Sequence, residues 1–124
     1  MTTIMVVDDD QALLTILQLT FERAGYEVLT ADNGVSAIKV AERHSPSLVI
    51  LDDMMPGLSG GDTCIRFKSN PLLAHIPVLM YSARSDAISS EYLGSMGADA
   101  GLRKPTPPNV ILETVRGLLA GATA

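Results

Sequence analysis

Two stretches, Ile4-Met5-Val6-Val7-Asp8-Asp9-Asp10 and Leu48-Val49-Ile50-Leu51-Asp52-Asp53, decide the reading of this chain. Each is apolar at every position and then stops abruptly on carboxylates. A run that is apolar throughout, rather than at alternate residues, suits a strand covered on both faces, as in a parallel sheet between helices. The acidic residues then stand at the carboxyl ends of two buried strands.

Working outward, Leu13, Leu14, Leu17, Phe21 and Ala24 recur at helical spacing up to Gly25, a helix-ending glycine. Residues 26–30 read as a second, more peripheral strand. Asn33-Gly34 reads as a turn, followed by a short helix marked by Val35, Ile38 and Ala41 and stopped by Ser45-Pro46. After Asp53 comes a Pro/Gly-rich loop, then a weakly patterned helix over 62–69. Residues 77–81 read as a fourth strand ending on Ser82, and Ile88, Tyr92, Leu93 and Met96 as a fourth helix. A weak fifth strand over 100–103 leads to Lys104-Pro105. The last helix carries Val110, Ile111, Val115, Leu118 and Leu119, with Thr106-Pro107-Pro108 as its N-cap and first-turn prolines. Strands alternating with helices at this spacing imply βαβ units, and right-handed crossovers make them an α/β doubly wound sheet. With no linker, repeat or low-complexity tract, residues 1–124 read as one domain without an output domain, and Met1 directly before the first strand reads as a native start.

The 124 residues are 47% hydrophobic and 19% charged, which fits a folded globular chain. A net charge of −5 offers no electrostatic footprint for nucleic acid or an anionic membrane. The single cysteine, Cys64, excludes an intrachain disulfide and reads as a small buried hydrophobe in a reducing compartment. There is no signal-peptide pattern, and the apolar runs are too short to span a bilayer. The expectation is a soluble, cytoplasmic protein.

In an open parallel sheet, ligands bind beyond the carboxyl ends of the strands. Here that rim carries Asp8-Asp9-Asp10, Asp52-Asp53, Ser82 and Lys104. Two carboxylates about 4 Å apart repel by about 4 kcal/mol at an effective dielectric near 20, so either some protonate or a cation sits among them. A hard, oxygen-liganded ion of the Mg²⁺ type fits; with no His or Cys at a strand end, zinc does not. A carboxylate beside such an ion and a lysine is equipped to accept a phosphoryl group, and Ser82 can donate a hydrogen bond to one of its oxygens.

Four segments, IMVVDDD (4–10), PSLVILDDMMPGLSGGD (46–62), HIPVLMYSA (75–83) and GADAGLRKP (97–105), together resemble the receiver domain of two-component response regulators. The resemblance covers nearly the whole chain. It implies a flavodoxin-like fold of five parallel strands in the order 2-1-3-4-5 with five helices. It makes Asp52 the phosphoacceptor, since Asp52 directly ends the third strand with Pro56 four residues on; Asp53 falls at a usually nonacidic position. Asp8 and Asp9 match the acidic pair, with Asp9 and Asp52 as direct Mg²⁺ ligands, Asp8 acting largely through water and Met54 contributing its backbone carbonyl. Ser82 matches the switch hydroxyl and Lys104 the phosphate-pairing lysine, while Lys104-Pro105 matches a bond that is usually cis. Asp10 is a helix-start residue. The implied partners are a sensor histidine kinase or histidine phosphotransfer protein, and a downstream protein or output domain. The implied role is signalling: the domain catalyses its own aspartyl phosphorylation and dephosphorylation but is not a turnover enzyme.

Two departures stand out. Gly101 occupies a position that is usually aromatic in the family, and Thr106 replaces a common phenylalanine, so transmission past the site is less predictable than phosphorylation. Family members tune hydrolysis through the residues two after the acceptor and two after the switch hydroxyl, here Met54 and Arg84. Apolar Met54 cannot orient a water, so self-dephosphorylation is expected to be slow to moderate. His44 and His75 read as a helix end and a loop residue; Tyr92 and the methionines read as packing or partner surface. Two other functional readings follow from the same residues. A receiver that no longer switches would act as a binding scaffold. Alternatively, Asp8-x-Asp10 after an apolar strand is similar to the first motif of haloacid-dehalogenase-type phosphatases, with Asp8 as nucleophile. The second acidic pair preceding Ser82, and a chain too short for a cap domain, count against that phosphatase.

Overall fold

In a computed structural model, residues 2–123 are described, the last two by their backbone alone. Five strands, β1 (Thr3–Val7), β2 (Glu27–Ala31), β3 (Leu48–Leu51), β4 (Val78–Ser82) and β5 (Ala100–Arg103), pair in parallel in the order β2-β1-β3-β4-β5. Five helices connect and follow them: α1 (Gln11–Arg23), α2 (Gly34–His44), α3 (Gly60–Ser69), α4 (Ser90–Met96) and α5 (Pro108–Thr123). This is the α/β doubly wound, flavodoxin-like arrangement expected from the sequence.

Neighbouring residues on a strand point to opposite faces, so each buried strand feeds two cores. Ile4, Val6, Leu48, Ile50, Leu79 and Tyr81 pack with Leu14, Leu17 and Phe21 of α1 and Ile111 and Val115 of α5. Met5, Val7, Val49, Leu51, Val78 and Met80 pack instead with Ala37, Ala41, Cys64, Phe67 and Met96 of α2, α3 and α4. Burial on both faces explains why β1, β3 and β4 read as unbroken apolar runs. The peripheral β2 is only partly covered.

Helix ends follow side-chain chemistry. Asp10 caps α1 by accepting from the Ala12 and Leu13 amides at 3.0 and 3.3 Å. At the other end Gly25 is left-handed at φ 94°, its N–H reaches Glu22 O, and the Tyr26 N–H returns to Phe21 O at 3.0 Å. The Tyr26 ring packs 5.9 Å from that of Phe21, so Tyr26 closes the helix and β2 begins at Glu27.

Other boundaries differ from the sequence reading. Asn33-Gly34 is a helix start rather than a turn, with Asn33 Oδ1 accepting from Ser36 N at 2.8 Å. Helix α3 begins at Gly60, two residues before the predicted segment, because Ser59 Oγ caps it through Asp62 N at 3.1 Å. Ile88 belongs to a 3₁₀ turn, Asp86–Ile88, and α4 starts only after the extended cap residue Ser89. Thr106 does not cap α5: its hydroxyl donates to Arg103 O at 2.6 Å, and the helix opens on Pro108.

Candidate functional site

β1 and β3 are neighbours in register, with Val7 opposite Leu51, so the residues that follow each strand emerge side by side. The Asp52 N–H donates to Val7 O at 2.9 Å, which continues the ladder by one step. As a result, one carboxylate oxygen each from Asp8, Asp9 and Asp52 lie within 4.8 Å of one another. Asp8 and Asp52 are buried at 3% and 4% exposure, whereas Asp9 is exposed.

Lys104 arrives from the end of β5, held there by its N–H on Ser82 O at 2.8 Å. Its ammonium donates to Asp8 Oδ2 at 2.7 Å and to Asp52 Oδ1 at 3.3 Å. It also lies 5.4 Å from the Tyr81 ring centroid. The Tyr81 hydroxyl accepts from Thr106 N at 3.0 Å and donates to Thr106 O at 3.3 Å, which pins the segment after the lysine. The Lys104–Pro105 peptide is cis, as the family resemblance implied.

The two buried carboxylates are not equivalent. Asp8 is engaged at both oxygens, Oδ2 by Lys104 and Oδ1 by the Asp10 N–H at 2.9 Å. Asp52 Oδ1 accepts from Lys104 and, at 3.4 Å, from Met54 N; its Oδ2 has no partner among the described residues. No fully buried side-chain oxygen lacks a partner among those residues, so Oδ2 must reach solvent. Burial, then the nearby Asp8 charge, push the Asp52 carboxyl above its usual range, with Lys104 opposing. Burial pulls the Lys104 ammonium down, but its bond to Asp8 and the charges of Asp52 and Asp8 outweigh this and raise it. The ionised cluster is therefore electrostatically costly, and the lysine stays charged.

Backbone fit also fixes the end of β3. A Cβ on Gly60 would overlap the Asp52 carbonyl oxygen and the Asp53 Cα, so only glycine lets α3 start this close. The Gly60 N–H donates to Asp53 O at 3.0 Å. Ser82, fully buried, accepts from the Arg84 N–H at 3.1 Å.

A family model for the response regulator receiver domain matches residues 4–116. The chain belongs to the response regulator receiver family. It is 36% identical over 116 residues to the alkaline phosphatase synthesis transcriptional regulatory protein PhoP of Bacillus subtilis, covering 94% of this chain and 48% of that protein. It is 36% identical over 118 residues to response regulator PleD of Caulobacter vibrioides, covering 93% of this chain and 25% of that protein. The receiver thus spans half or less of these two relatives. Among solved structures, a CheY-like receiver domain protein from Methanospirillum hungatei superposes with a TM-score of 0.92 at 25% identity, covering 99% and 97% of the two chains. Chemotaxis protein CheY4 of Vibrio cholerae gives 0.87 at 27% identity, covering 94% and 97%.

Other residues of this receiver fall where the fold dictates. His44 ends α2 and His75 precedes β4, so both lie at the sheet edge opposite the carboxylates and are exposed. Cys64 is fully buried with its thiol on Met96 O at 3.4 Å, and burial pushes its pKa up to about 11. That is a packed thiol, not a nucleophile. At Gly101 a Cβ would stand 3.0 Å from Leu93 Cδ1 and 3.2 Å from Ile88 Cβ, so the space beside β5 is filled by α4 and the turn before it.

One constellation was not read from the sequence. Asp53, only 3% exposed, accepts from Arg84 Nη1 at 2.9 Å and from the Tyr92 hydroxyl at 3.1 Å. The Arg84 guanidinium lies 5.7 Å from the Tyr92 ring centroid and also pairs with Asp86 at 2.7 Å. Burial, then the bond to Asp53, raise the Tyr92 pKa. The available signals were Asp53 at a usually nonacidic position and a lone Arg84 two residues past the strand-four serine; nothing in the spacing pointed to Tyr92.

Proposed function

We propose that Asp52 is the phosphoacceptor of a two-component phosphorelay, and that its uncommitted oxygen carries this reading. Asp52 Oδ2 has no partner among the described residues and reaches solvent, while Asp8 has both oxygens engaged. This favours Asp52 over Asp8 as nucleophile, and a receiver over a haloacid-dehalogenase-like phosphatase. The donor is the phosphohistidine of a sensor histidine kinase or a histidine phosphotransfer protein. Asp52 Oδ2 attacks phosphorus, the phosphorus–nitrogen bond breaks with its electron pair leaving on the imidazole, and an acyl phosphate forms.

Asp8, Asp9 and Asp52 are an all-oxygen donor set whose mutual repulsion a divalent cation relieves, so they fit Mg²⁺. Asp9 and Asp52 would hold the ion directly, Asp8 largely through water, and Met54 through its backbone carbonyl. When bound, Mg²⁺ neutralises charge on the phosphoryl oxygens. Lys104 supplies a second positive charge to the same group, and the Ser82 hydroxyl donates to one of its oxygens.

Residues 1–124 act as one receiver unit, cytoplasmic, that controls a partner or output domain without touching nucleic acid or membrane itself. The domain catalyses its own phosphorylation and its hydrolytic reversal, not turnover of a substrate. Exposed, apolar Met54 offers an attacking water nothing to align it, so reversal is slow to moderate.

Intact mass after treatment with acetyl phosphate and Mg²⁺ tests this. One added phosphoryl group is expected on the parent chain and on Asp53→Asn, and none on Asp52→Asn. An unchanged parent mass, or a phosphorylated Asp52→Asn, refutes the assignment. The decay of the mass shift gives the lifetime.

A further inference from the structure

We propose that Asp53, Arg84 and Tyr92 form a clamp holding α4 against the phosphoacceptor strand in the unmodified chain, and that phosphorylation of Asp52 opens it. The inference rests on Asp52 being the phosphoacceptor, but the Asp53, Arg84 and Tyr92 contacts stand whatever role Asp52 has. The clamp joins three elements: Asp53 at the end of β3, Arg84 in the loop after β4, and Tyr92 on α4.

Arg84 is attached to the site at two points. Its backbone N–H donates to Ser82 Oγ and its guanidinium donates to Asp53. Its other partner, Asp86, is an exposed residue of the same loop and travels with it. Opening the clamp therefore requires that Nη1 leave Asp53, that the guanidinium leave the Tyr92 ring and that the Tyr92 hydroxyl release Asp53 Oδ1.

Phosphorylation supplies both a pull and a competitor. The phosphoryl group draws the Ser82 hydroxyl, and with it the Arg84 backbone, toward Asp52. It also places about −1.5 to −2 of charge next to Asp53, so a second anion competes for the guanidinium.

Helix α4 is suited to respond. It has seven residues, of which Met96 alone is buried, and is too short to hold its place by helical stability alone. Its position depends on Met96, on Leu93 lying over Gly101, and on the Tyr92 hydroxyl at Asp53. The clamp is made in one state and broken in the other, so it biases the equilibrium between them. Removing it shifts the unmodified chain toward the phosphorylated conformation.

The test is amide NMR on the whole chain, titrated with beryllofluoride and Mg²⁺ as the phosphoryl mimic. Four proteins are compared: the parent, Arg84→Gln, Tyr92→Phe and Asp53→Asn. Asp53→Asn keeps the shape of the buried group, so it guards against an unfolded Arg84→Gln. In the parent, the mimic is expected to shift amides of residues 82–96. In the three variants, before any mimic, the amides of 90–96 should already lie part-way along the same displacement, and apparent affinity for the mimic should rise about threefold or more. Tyr92→Phe should show the smallest shift. If the parent responds while all three variants start at the parent's positions and bind with its affinity, the clamp is refuted alone. If the parent does not respond, the phosphoacceptor reading fails and the clamp falls with it.

Discussion

Asp52 and Asp53 leave the same strand end and are almost equally buried, at 4% and 3% exposure, yet they face opposite environments. Asp52 shares one lysine with a second buried carboxylate and has an oxygen with no partner among the described residues. Asp53 has an arginine on one oxygen and a tyrosine hydroxyl on the other. The first arrangement leaves the ionised group costly and accessible, which suits the proposed roles of nucleophile and metal ligand. The second saturates the carboxylate and makes it a structural tie. Within one dipeptide, the spread of partners over the two oxygens, two on one oxygen against one on each, separates the proposed phosphoacceptor from the tied acid.

The sharpest way to break the contrast is to remove the shared cation. Lys104→Met leaves Asp8 and Asp52 facing each other without their shared cation and, on the proposed reading, takes a positive charge from the transferring group. Loss of one such charge stabiliser typically costs about a hundredfold or more in rate. The rate of phosphate incorporation from acetyl phosphate should fall by that order, while the Asp53 tie stays intact. A Lys104→Met protein that is phosphorylated at the parent rate would show that the lysine serves only to hold Asp8.

The second prediction concerns the support that both acids share. Gly60 touches the Asp52 carbonyl and donates to Asp53 O, so Gly60→Ala forces α3 away from the strand end. Overpacking of this kind costs about 1–3 kcal/mol, here at the upper end because the obstacle is backbone. A urea melt should show that loss, together with slower phosphorylation. Gly25→Ala serves as the comparison, since its Cβ would meet nothing within 4 Å and only the φ of 94° resists it.

How much of this was open to view before the fold was known differs between the two acids. The pocket around Asp52 was legible because every member stands at a strand end, and strand ends converge wherever a parallel sheet forms. Asp8, Asp9 and Lys104 needed no side-chain detail to be placed beside Asp52. The tie at Asp53 reaches across 31 residues to Arg84 and 39 to Tyr92, and depends on how α4 rotates. No periodicity encodes that. Helix starts were blurred for a local reason: Asn33-Gly34 and Gly60-Gly61 carry turn chemistry, which cap positions share. Thr106 has the chemistry of a cap but not the role, because its hydroxyl donates to Arg103 O rather than accepting from the helix amides.

The smallest effect is the most diagnostic of the contrast, because it reverses sign between adjacent residues. Asp52 has a folded-state pKa raised above the ordinary 3.8, so its ionisation opposes folding. That penalty is full above the raised value and vanishes as pH falls through it toward 3.8. In metal-free buffer at pH 7, Asp52→Asn should therefore raise Tm by a few degrees, and the gain should shrink as the pH approaches 4. Asp53→Asn should lower Tm at pH 7, since it discards a charge-assisted bond in a buried site. Thermal melts of both variants across that pH range check the pair. If both move Tm the same way, the two carboxylates are not specialised as their partners indicate, and the clamp loses its anchor. If only Asp52→Asn behaves as stated, Asp53 is held by shape rather than charge, and the tie to Arg84 contributes little on its own.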